Sequence, residues 1–204
     1  MRFTKYLGLA IASIEWYDNA ICIALADVLS TLFFPQYDTT SRLILYLSSF
    51  AIGFLGRPIG AYFLGYYSDK YSRIHAAYIS FVIMILGTLF ISILPTYQSI
   101  GIYAPILLVL FRFFQGIAIG GNYGISVFSV ENAHKSEKYF ASSMICLGFM
   151  IGFFFGGVVS SMLNYFSNRE MLLSIGWRIA LLSSFFISLP VLFWFPKDEP
   201  KQLL

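Results

Sequence analysis

Two carboxylates in the first long apolar segment are the best candidates for chemistry in this sequence. Glu15 and Asp18 are three positions apart, so a helix places them on nearly the same face. Desolvation in an apolar cavity disfavours the charged form of a carboxylate, so one of these groups could take up and release a proton at working pH. The alternative is that both lie near the cytoplasmic mouth, where they pair with basic loop residues or cap a neighbouring helix. It is weaker for Asp18, which lies deeper.

A polar stripe follows the fourth apolar segment. Arg112 lies too deep in that segment to be an ordinary loop cation, and it therefore needs an internal partner. Gln115 and Asn122 fall on about the same helical face as Arg112. Such a stripe either lines a pathway across the bilayer or bonds two helices together. We favour the pathway for Arg112, and both alternatives stay open for Asn122.

The elements that must position these residues are membrane helices. Hydrophobic residues make up 58% of the 204-residue chain and charged residues 11%, with a mean hydropathy of +0.76, whereas a soluble domain carries about 25% charged residues. The predicted spans are Tyr6 to Phe33, Leu43 to Tyr66, His75 to Leu94, Tyr103 to Val130, Phe140 to Leu163 and Ser174 to Phe195. We therefore predict an all-α membrane protein, with a six-helix transmembrane bundle over residues 1–196 and a short cytoplasmic tail over residues 197–204.

A short charged turn separates the second and third spans. It contains Gly65, Asp69, Lys70 and Arg73. Charged groups collect where a chain leaves the bilayer, and a glycine at a helix end lets the next helix approach closely. This pattern predicts a hinge between two membrane helices, with a close helix contact at Gly65.

Basic residues are distributed unequally between the two sides of these spans. One side holds Arg2, Lys5, Lys70, Arg73, Lys135, Lys138, Lys197 and Lys201. The other side holds only Arg42, Arg169 and Arg178. The positive-inside rule then places both termini in the cytoplasm, which requires an even number of crossings.

Glycines recur at intervals of four residues in three of the spans. They are Gly56 and Gly60, Gly116 and Gly120, and the row Gly148, Gly152 and Gly156. Small residues let helix backbones meet in lipid, where no hydrophobic force drives helices together. We expect these glycines to form close helix contacts, which in a transporter would also be sliding surfaces.

Other classes of function find little support in the sequence. The net charge of +3 is spread over the loops, which predicts no nucleic-acid binding. Cys22 and Cys146 lie within spans, away from metal-ligand spacing, and are expected to be small buried residues. His75 and His134 fall at predicted loop edges, without a metal-binding pair or a serine elbow. We therefore predict no enzyme activity, no metal and no cofactor.

Several motifs together resemble the N-terminal half of a major facilitator superfamily transporter. The run from Gly65 to Arg73 resembles the signature of that superfamily between its second and third helices. Four further segments are similar to the metabolite and proton symporters, a subfamily that includes the proline and glycine betaine transporters. They are Glu15 to Asp18, Gly53 to Gly60, Arg112 to Gly121, and Gly176 to Arg178.

The resemblance implies a secondary active transporter of the bacterial inner membrane for a small solute such as proline, betaine or a carboxylate. Asp18 would face the central cavity, and Arg112 would communicate with the proton site. A cytoplasmic gate would latch the two halves in the outward-facing state. Its residues would be Arg57, Gly65, Asp69, Lys70 and Arg73. The row from Gly152 to Gly157 lacks the proline of the antiporter signature, which favours proton symport.

The sequence also departs from the pattern of this subfamily. Asn122 replaces a usual glutamate, and an amide cannot titrate, so proton coupling is an open question. Ser72 replaces the second glycine of the signature, and Ile74 replaces a basic residue. Asp27 and Ala180 stand where relatives tend to have proline, and we expect Asp27 to be solvated at the outer interface.

Transporters of this type have two six-helix halves, with the substrate site between them. This sequence supplies one half. We therefore expect a carrier that acts on a small solute and protons in the lipid bilayer and that needs a second six-helix half, from another chain or a second copy. The alternative is a membrane protein without transport activity, which would be a remnant of a split or decayed transporter gene or an assembly partner.

Overall fold

The computed structural model describes residues 2–131 and 137–195, and every regular element within these ranges is helical. The elements are α1 (Arg2–Ala24), α2 (Ala26–Phe33), α3 (Thr39–Lys70), α4 (Arg73–Ile93), α5 (Tyr97–Ile100), α6 (Tyr103–Glu131), α7 (Lys138–Phe166), α8 (Arg169–Met171), a π-helical segment (Leu172–Gly176) and α9 (Trp177–Phe193). The predicted tail at 197–204 and the predicted loop residues His134 and Lys135 lie outside the described residues.

Six candidate membrane spans account for almost all of these helices. Five helical runs are each long and apolar enough to cross a bilayer, and the bent pair α1 and α2 makes the sixth if it is counted as one span. The predicted all-α six-helix bundle is thus confirmed. The last span begins at Arg169 rather than at the predicted Ser174, because α8 and the π-helical segment lead directly into α9.

The first span is bent. The axes of α1 and α2 differ by 67° at a break at Leu25, whose side chain is fully buried. Asp27 lies in the first turn of α2, where a carboxylate interacts favourably with the helix dipole. It also binds Arg42 at 3.4 Å and Arg169 at 3.0 Å. The Asp27 side chain is 45% exposed, which agrees with the expected solvation, and the two arginines pair with it in addition.

Close backbone contacts join the helices in pairs, with α1 against α7 and α3 against α6. A Cβ atom added to Gly56 would lie 2.6 Å from the Phe113 carbonyl oxygen. One added to Gly148 would lie 2.6 Å from the Leu9 carbonyl oxygen. Side chains would clash with facing backbone at every other predicted packing glycine as well, namely Gly60, Gly116, Gly120, Gly152 and Gly156.

The close helix contact predicted at Gly65 is not observed among the described residues. No described atom of another residue would come within 4 Å of a Cβ atom added at this position, apart from its chain neighbours and its own helix backbone. The helix contact expected at Gly65 is therefore absent from the described bundle. The physical reason is that this part of α3 faces away from the other helices, as the exposed Tyr62, Phe63 and Tyr66 beside it also show.

The bundle has two sides that differ in burial. In the most apolar stretches of α7 and α3, only 17% and 28% of the residues are buried, compared with 56% in α4. The exposed side chains of α7 include Phe153, Phe154 and Phe155. Helices α3 and α7 thus present broad apolar faces outward, whereas α4 lies between α6 and α9.

Candidate functional site

A buried ion pair joins the first and fourth spans. Asp18 on α1 is 3% exposed and Arg112 on α6 is 4% exposed, and Arg112 Nη1 lies 3.9 Å from Asp18 Oδ2. Gln115 lies between them, since its Oε1 accepts a hydrogen bond from Arg112 Nη1 at 2.9 Å and its Nε2 donates to Asp18 Oδ2 at 3.2 Å. The structure thus brings together three of the five residues that the sequence placed on the solute and proton pathway.

Thr88 on α4 completes this network, and sequence reasoning missed it. Gln115 Nε2 donates to Thr88 Oγ1 at 2.9 Å, and Thr88 Oγ1 donates to the Met84 carbonyl oxygen at 3.2 Å. Gly87 leaves room for this arrangement, because a Cβ atom there would lie 2.6 Å from Gln115 Cγ. The only indication of Thr88 in the sequence was a hydroxyl group within an apolar span. This indication is weak, because serines and threonines in helices commonly donate hydrogen bonds to their own helix backbone.

The chemistry of the partners fixes the orientation of the Gln115 amide. A guanidinium can only donate hydrogen bonds, and an ionised carboxylate can only accept them. The amide oxygen must therefore face Arg112 and the amide nitrogen must face Asp18. Gln115 therefore links the two charges through its amide dipole, and the signs of the two charges fix the direction of that dipole.

Several polar atoms of the ion pair have no hydrogen-bond partner within the described residues. They are Asp18 Oδ1, Arg112 Nε and Arg112 Nη2. The Arg112 guanidinium also lies 4.6 Å from the centroid of the Phe50 ring, a cation-π distance. Buried polar groups are normally paired. The hydrogen bonds of the pair are therefore incomplete, although Thr88 and Ser184 lie within reach of Asp18 and Cys22 and Tyr46 lie within reach of Arg112.

Two cavities meet at Glu15. The first, of about 30 Å³, is lined by the Asp18, Arg112 and Gln115 network. The second, of about 100 Å³, is lined by Asn122. Glu15 and Arg57 line both cavities, and Glu15 is only 8% exposed. Asn122 therefore does not join the ion-pair network, although it lies on the predicted stripe.

Arg57 lies away from the other predicted gate residues. Its guanidinium lies 4.0 Å from the Phe54 ring centroid, and the residue precedes Asp69 by 12 positions on α3. That separation corresponds to about 18 Å along a helix. The structure thus places Arg57 beside Glu15, and its predicted role in the gate stays a prediction.

The predicted gate turn is compact and exposed. Arg73 Nη2 lies 3.9 Å from Asp69 Oδ1, and the Asp69 side chain is 77% exposed. Lys70 Nζ donates to the Tyr66 hydroxyl at 3.4 Å. Ser72, which replaces the signature glycine, caps α4 by accepting a hydrogen bond from the His75 backbone N–H at 3.1 Å. The serine that stands in place of the signature glycine therefore stabilises the start of α4.

A second charged cluster, missed in the sequence, lies at the opposite end of α3. Asp27 binds both Arg42 and Arg169, and Arg178 donates to the Leu94 carbonyl oxygen at 3.3 Å. The three arginines assigned to the less basic side of the membrane are thus close to the ends of α2 and α4. These three arginines and Asp27 are far apart in the sequence, so the sequence pattern did not indicate that they form a cluster.

The aromatic residues beside Asp18 have packing partners. The Trp16 ring lies 5.4 Å from the ring of Phe149 on α7, and the Tyr17 hydroxyl forms a 2.8 Å hydrogen bond with Ser183 on α9. These contacts favour packing roles for both rings. Of the two cysteines expected to be buried, Cys22 is buried but Cys146 is exposed, because it lies on the outward face of α7.

Comparison with known proteins gives a consistent result. A family model described as "Sugar (and other) transporter" matches residues 8–198. The chain is 37% identical over 180 residues to a proline/betaine transporter of Salmonella typhimurium, covering 88% of this chain and 35% of that protein. It is 36% identical over 183 residues to the shikimate transporter of Escherichia coli, covering 89% of this chain and 42% of that protein. The chain therefore spans well under half the length of these relatives.

Solved structures show the same fold. The major facilitator superfamily proton:xylose symporter XylE, bound to 6-bromo-6-deoxy-D-glucose, superposes with a TM-score of 0.82 at 18% identity, covering 94% of this chain and 43% of that one. XylE from E. coli in a partially occluded inward-open conformation gives 0.81 at 19% identity, covering 94% and 48%. At these identities the likeness concerns the fold alone.

Proposed function

Because this chain belongs to the sugar (and other) transporter family of the major facilitator superfamily, we propose that it forms the N-terminal half of a proton-coupled secondary transporter for a small solute. It is a multi-pass membrane protein, and its relatives are bacterial transporters. In this proposal both termini face the cytoplasm, in agreement with the predicted distribution of basic residues.

The observation that carries the proposal is the buried network of Asp18, Gln115 and Arg112. Ionisable residues inside a membrane bundle are energetically costly, and those that are present usually mark ion or proton pathways. Protonation of Asp18 would remove its negative charge and release Arg112 from its electrostatic partner. The freed guanidinium could then bind a carboxylate of the solute, so proton and solute binding would be linked.

The outward faces of α3 and α7 support the need for a second six-helix half. These helices are the least buried candidate spans among those compared above, and they expose large aromatic side chains. In transporters with this fold, the substrate site lies between two bundles, and rocking of one bundle against the other alternates access to that site. The second half could belong to the same polypeptide or to another one.

For the solute, we propose a small molecule that carries a carboxylate, such as proline or glycine betaine. The relatives named for proline/betaine and shikimate transport share such solutes. In this chain, Nε and Nη2 of Arg112 form no hydrogen bond of good geometry among the described residues, although Cys22 and Tyr46 lie beside the guanidinium. A planar guanidinium matches a carboxylate well.

Transport by the reconstituted two-half carrier tests this proposal. Proteoliposomes with an inward proton gradient should accumulate radiolabelled proline or glycine betaine. Asp18→Asn should reduce gradient-driven uptake about tenfold or more, because the amide cannot bind and release the proton. Asp38→Asn is a matched control, since Asp38 is exposed and only caps α3.

Uptake by Asp18→Asn at the rate of the unsubstituted carrier would contradict the proposed role of this residue. Absence of uptake for every carboxylated solute in the unsubstituted carrier would favour the second candidate function, a membrane protein without transport activity. The amide at Asn122 is the observation that keeps this alternative open, because the subfamily resembled here usually has a titratable glutamate at that position.

A further inference from the structure

The second cavity, lined by Glu15, Arg57 and Asn122, has the properties of a buried binding site. We define this cavity as the Glu15 chamber. It has a volume of about 100 Å³ and is formed by α1, α3, α6 and α7 of this chain. All of its lining residues among the described ones belong to this chain.

The strongest indication of a ligand is Asn122. This residue is 6% exposed and lies within reach of the Glu15 carboxyl group, but neither its Oδ1 nor its Nδ2 forms a hydrogen bond of good geometry within the described residues. Leaving a buried amide without hydrogen-bond partners is energetically unfavourable. Since Asn122 lines the chamber, a ligand that both donates and accepts hydrogen bonds could bind to its amide group there.

Water fits these requirements. A water molecule needs only about 10–15 Å³ of such cavity volume and two to four polar partners, so the chamber has room for several water molecules. The Glu15 carboxylate accepts hydrogen bonds, the Arg57 guanidinium donates them, and the Asn122 amide does both. The walls include apolar residues such as Ile125 and Phe149, and the Tyr123 hydroxyl and the Trp16 indole N–H are further polar groups of the lining.

We propose that Glu15, Arg57 and Asn122 bind a cluster of water molecules in the Glu15 chamber, and that Glu15 exchanges a proton with this cluster. A hydronium ion in the cluster transfers a proton to a carboxylate oxygen of Glu15 and becomes water, and the reverse step regenerates it. The chamber extends toward the beginning of α1, where Gly8 and Ile11 line it. Glu15 thus connects the Asp18 cavity to that end of the bundle.

The surroundings of Glu15 allow both states of the carboxyl group. The groups that line its two cavities and carry or can acquire a charge are Asp18 on α1, Arg57 on α3, and Arg112 and Tyr123 on α6. The lining residues from α4 and α7 are apolar, namely Met84, Ile145 and Phe149. Glu15 thus lies between a guanidinium in both of its cavities, that of Arg57, and a second carboxyl group in one of them, that of Asp18.

This inference deepens the proposed function, since it adds a second proton-binding residue in series with Asp18. Its test needs no transport, so the two can fail separately. Infrared difference spectra of the purified chain in detergent would be recorded between about pH 4 and about pH 9, the range over which buried carboxyl groups titrate. We expect a protonated carboxyl band that is absent from Glu15→Gln.

The rate at which this band shifts after transfer to D₂O reports access of water to Glu15. Asn122→Leu should slow the exchange about tenfold or more, because an apolar side chain removes an anchor of the cluster. Asn122→Ser keeps a hydroxyl and leaves space for another water molecule, so its rate should stay within about twofold of the unsubstituted protein.

Asn164→Leu is the matched control. Asn164 also lies in a membrane helix, but its amide nitrogen donates to the Ser160 carbonyl oxygen of the same helix, far along α7 from the chamber. It should exchange at the unsubstituted rate. A carboxyl band that is missing from the unsubstituted protein or that survives in Glu15→Gln would overturn the inference. Equal exchange rates in Asn122→Leu, Asn122→Ser and the unsubstituted protein would overturn it as well.

Discussion

At the scale of single residues, Gln115 is the group through which the two buried charges communicate. It contacts Asp18, Arg112 and Thr88 at once, from three different helices. The direct distance between the charged atoms is 3.9 Å, longer than either hydrogen bond to Gln115. A change at Gln115 should therefore affect both charges, although Gln115 itself carries none.

We expect Gln115→Leu to destabilise the bundle by about 1–3 kcal/mol, because it leaves a buried donor and a buried acceptor without a partner. Gln98→Leu, at an exposed position in α5, should change the free energy of unfolding by less than about 0.5 kcal/mol. Chemical unfolding of the purified protein in detergent gives both values. Equal free energies for Gln115→Leu and the unsubstituted protein would show that the amide contributes nothing to the network.

At the scale of elements, glycine rows set the distance between helices. The row on α7 lets the backbone of α1 approach, and a Cβ atom at Gly152 would clash with the Ser13 carbonyl oxygen and lie 2.9 Å from the Tyr17 nitrogen. Glu15 lies between these two α1 residues in sequence. The packing of α7 therefore helps to fix the position of the α1 segment that carries both candidate proton-binding carboxylates.

Substitution of Gly152 by valine should lower the stability of the bundle by about 1–3 kcal/mol, since the backbone atoms facing it cannot move aside without a shift of α1. Gly157→Val is the matched control, because no described residue would come within 4 Å of a Cβ atom there. Thermal unfolding in detergent distinguishes the two variants. If Gly157→Val lowered the melting temperature as much as Gly152→Val, helix propensity rather than close packing would explain the loss.

The sequence predicted these elements well because hydropathy and small-residue spacing act locally along one helix. It could not show the break at Leu25 or the pairing of Asp27 with two arginines, since both depend on how α2 meets α3 and α8. For the same reason, the stripe on α6 predicted Gln115 beside Arg112 but could not reveal Thr88 from α4. The stripe also could not show that Asn122 faces a different cavity.

At the scale of the whole molecule, the spans and the charged residues define two ends of the bundle. The turn with Asp69 and Arg73 lies at the end where α3 finishes, whereas Asp27, Arg42 and Arg169 meet near the end where α3 begins. With six spans, both ends of the described chain lie on the side of the Asp69 turn. The positive-inside rule assigns this side to the cytoplasm.

Single-cysteine labelling tests this assignment. In a cysteine-free background, a cysteine at Lys70 should react with membrane-impermeant maleimide only after the membrane is opened. Gln98→Cys, in the short helix α5 that follows α4, should react in intact spheroplasts. The reverse pattern would show that the orientation is opposite to the one proposed. Labelling of both positions from outside would show that α4 does not cross the membrane between them.

The central claim is that this chain contributes the proton-binding half of a symporter, and solute-driven proton entry tests it most directly. In proteoliposomes of the two-half carrier enclosing a pH-sensitive dye, with no imposed gradient, addition of proline or glycine betaine should acidify the interior. Asp18→Asn should abolish this signal, because the amide carries no proton inward. Solute uptake without any acidification in the unsubstituted carrier would contradict the claim.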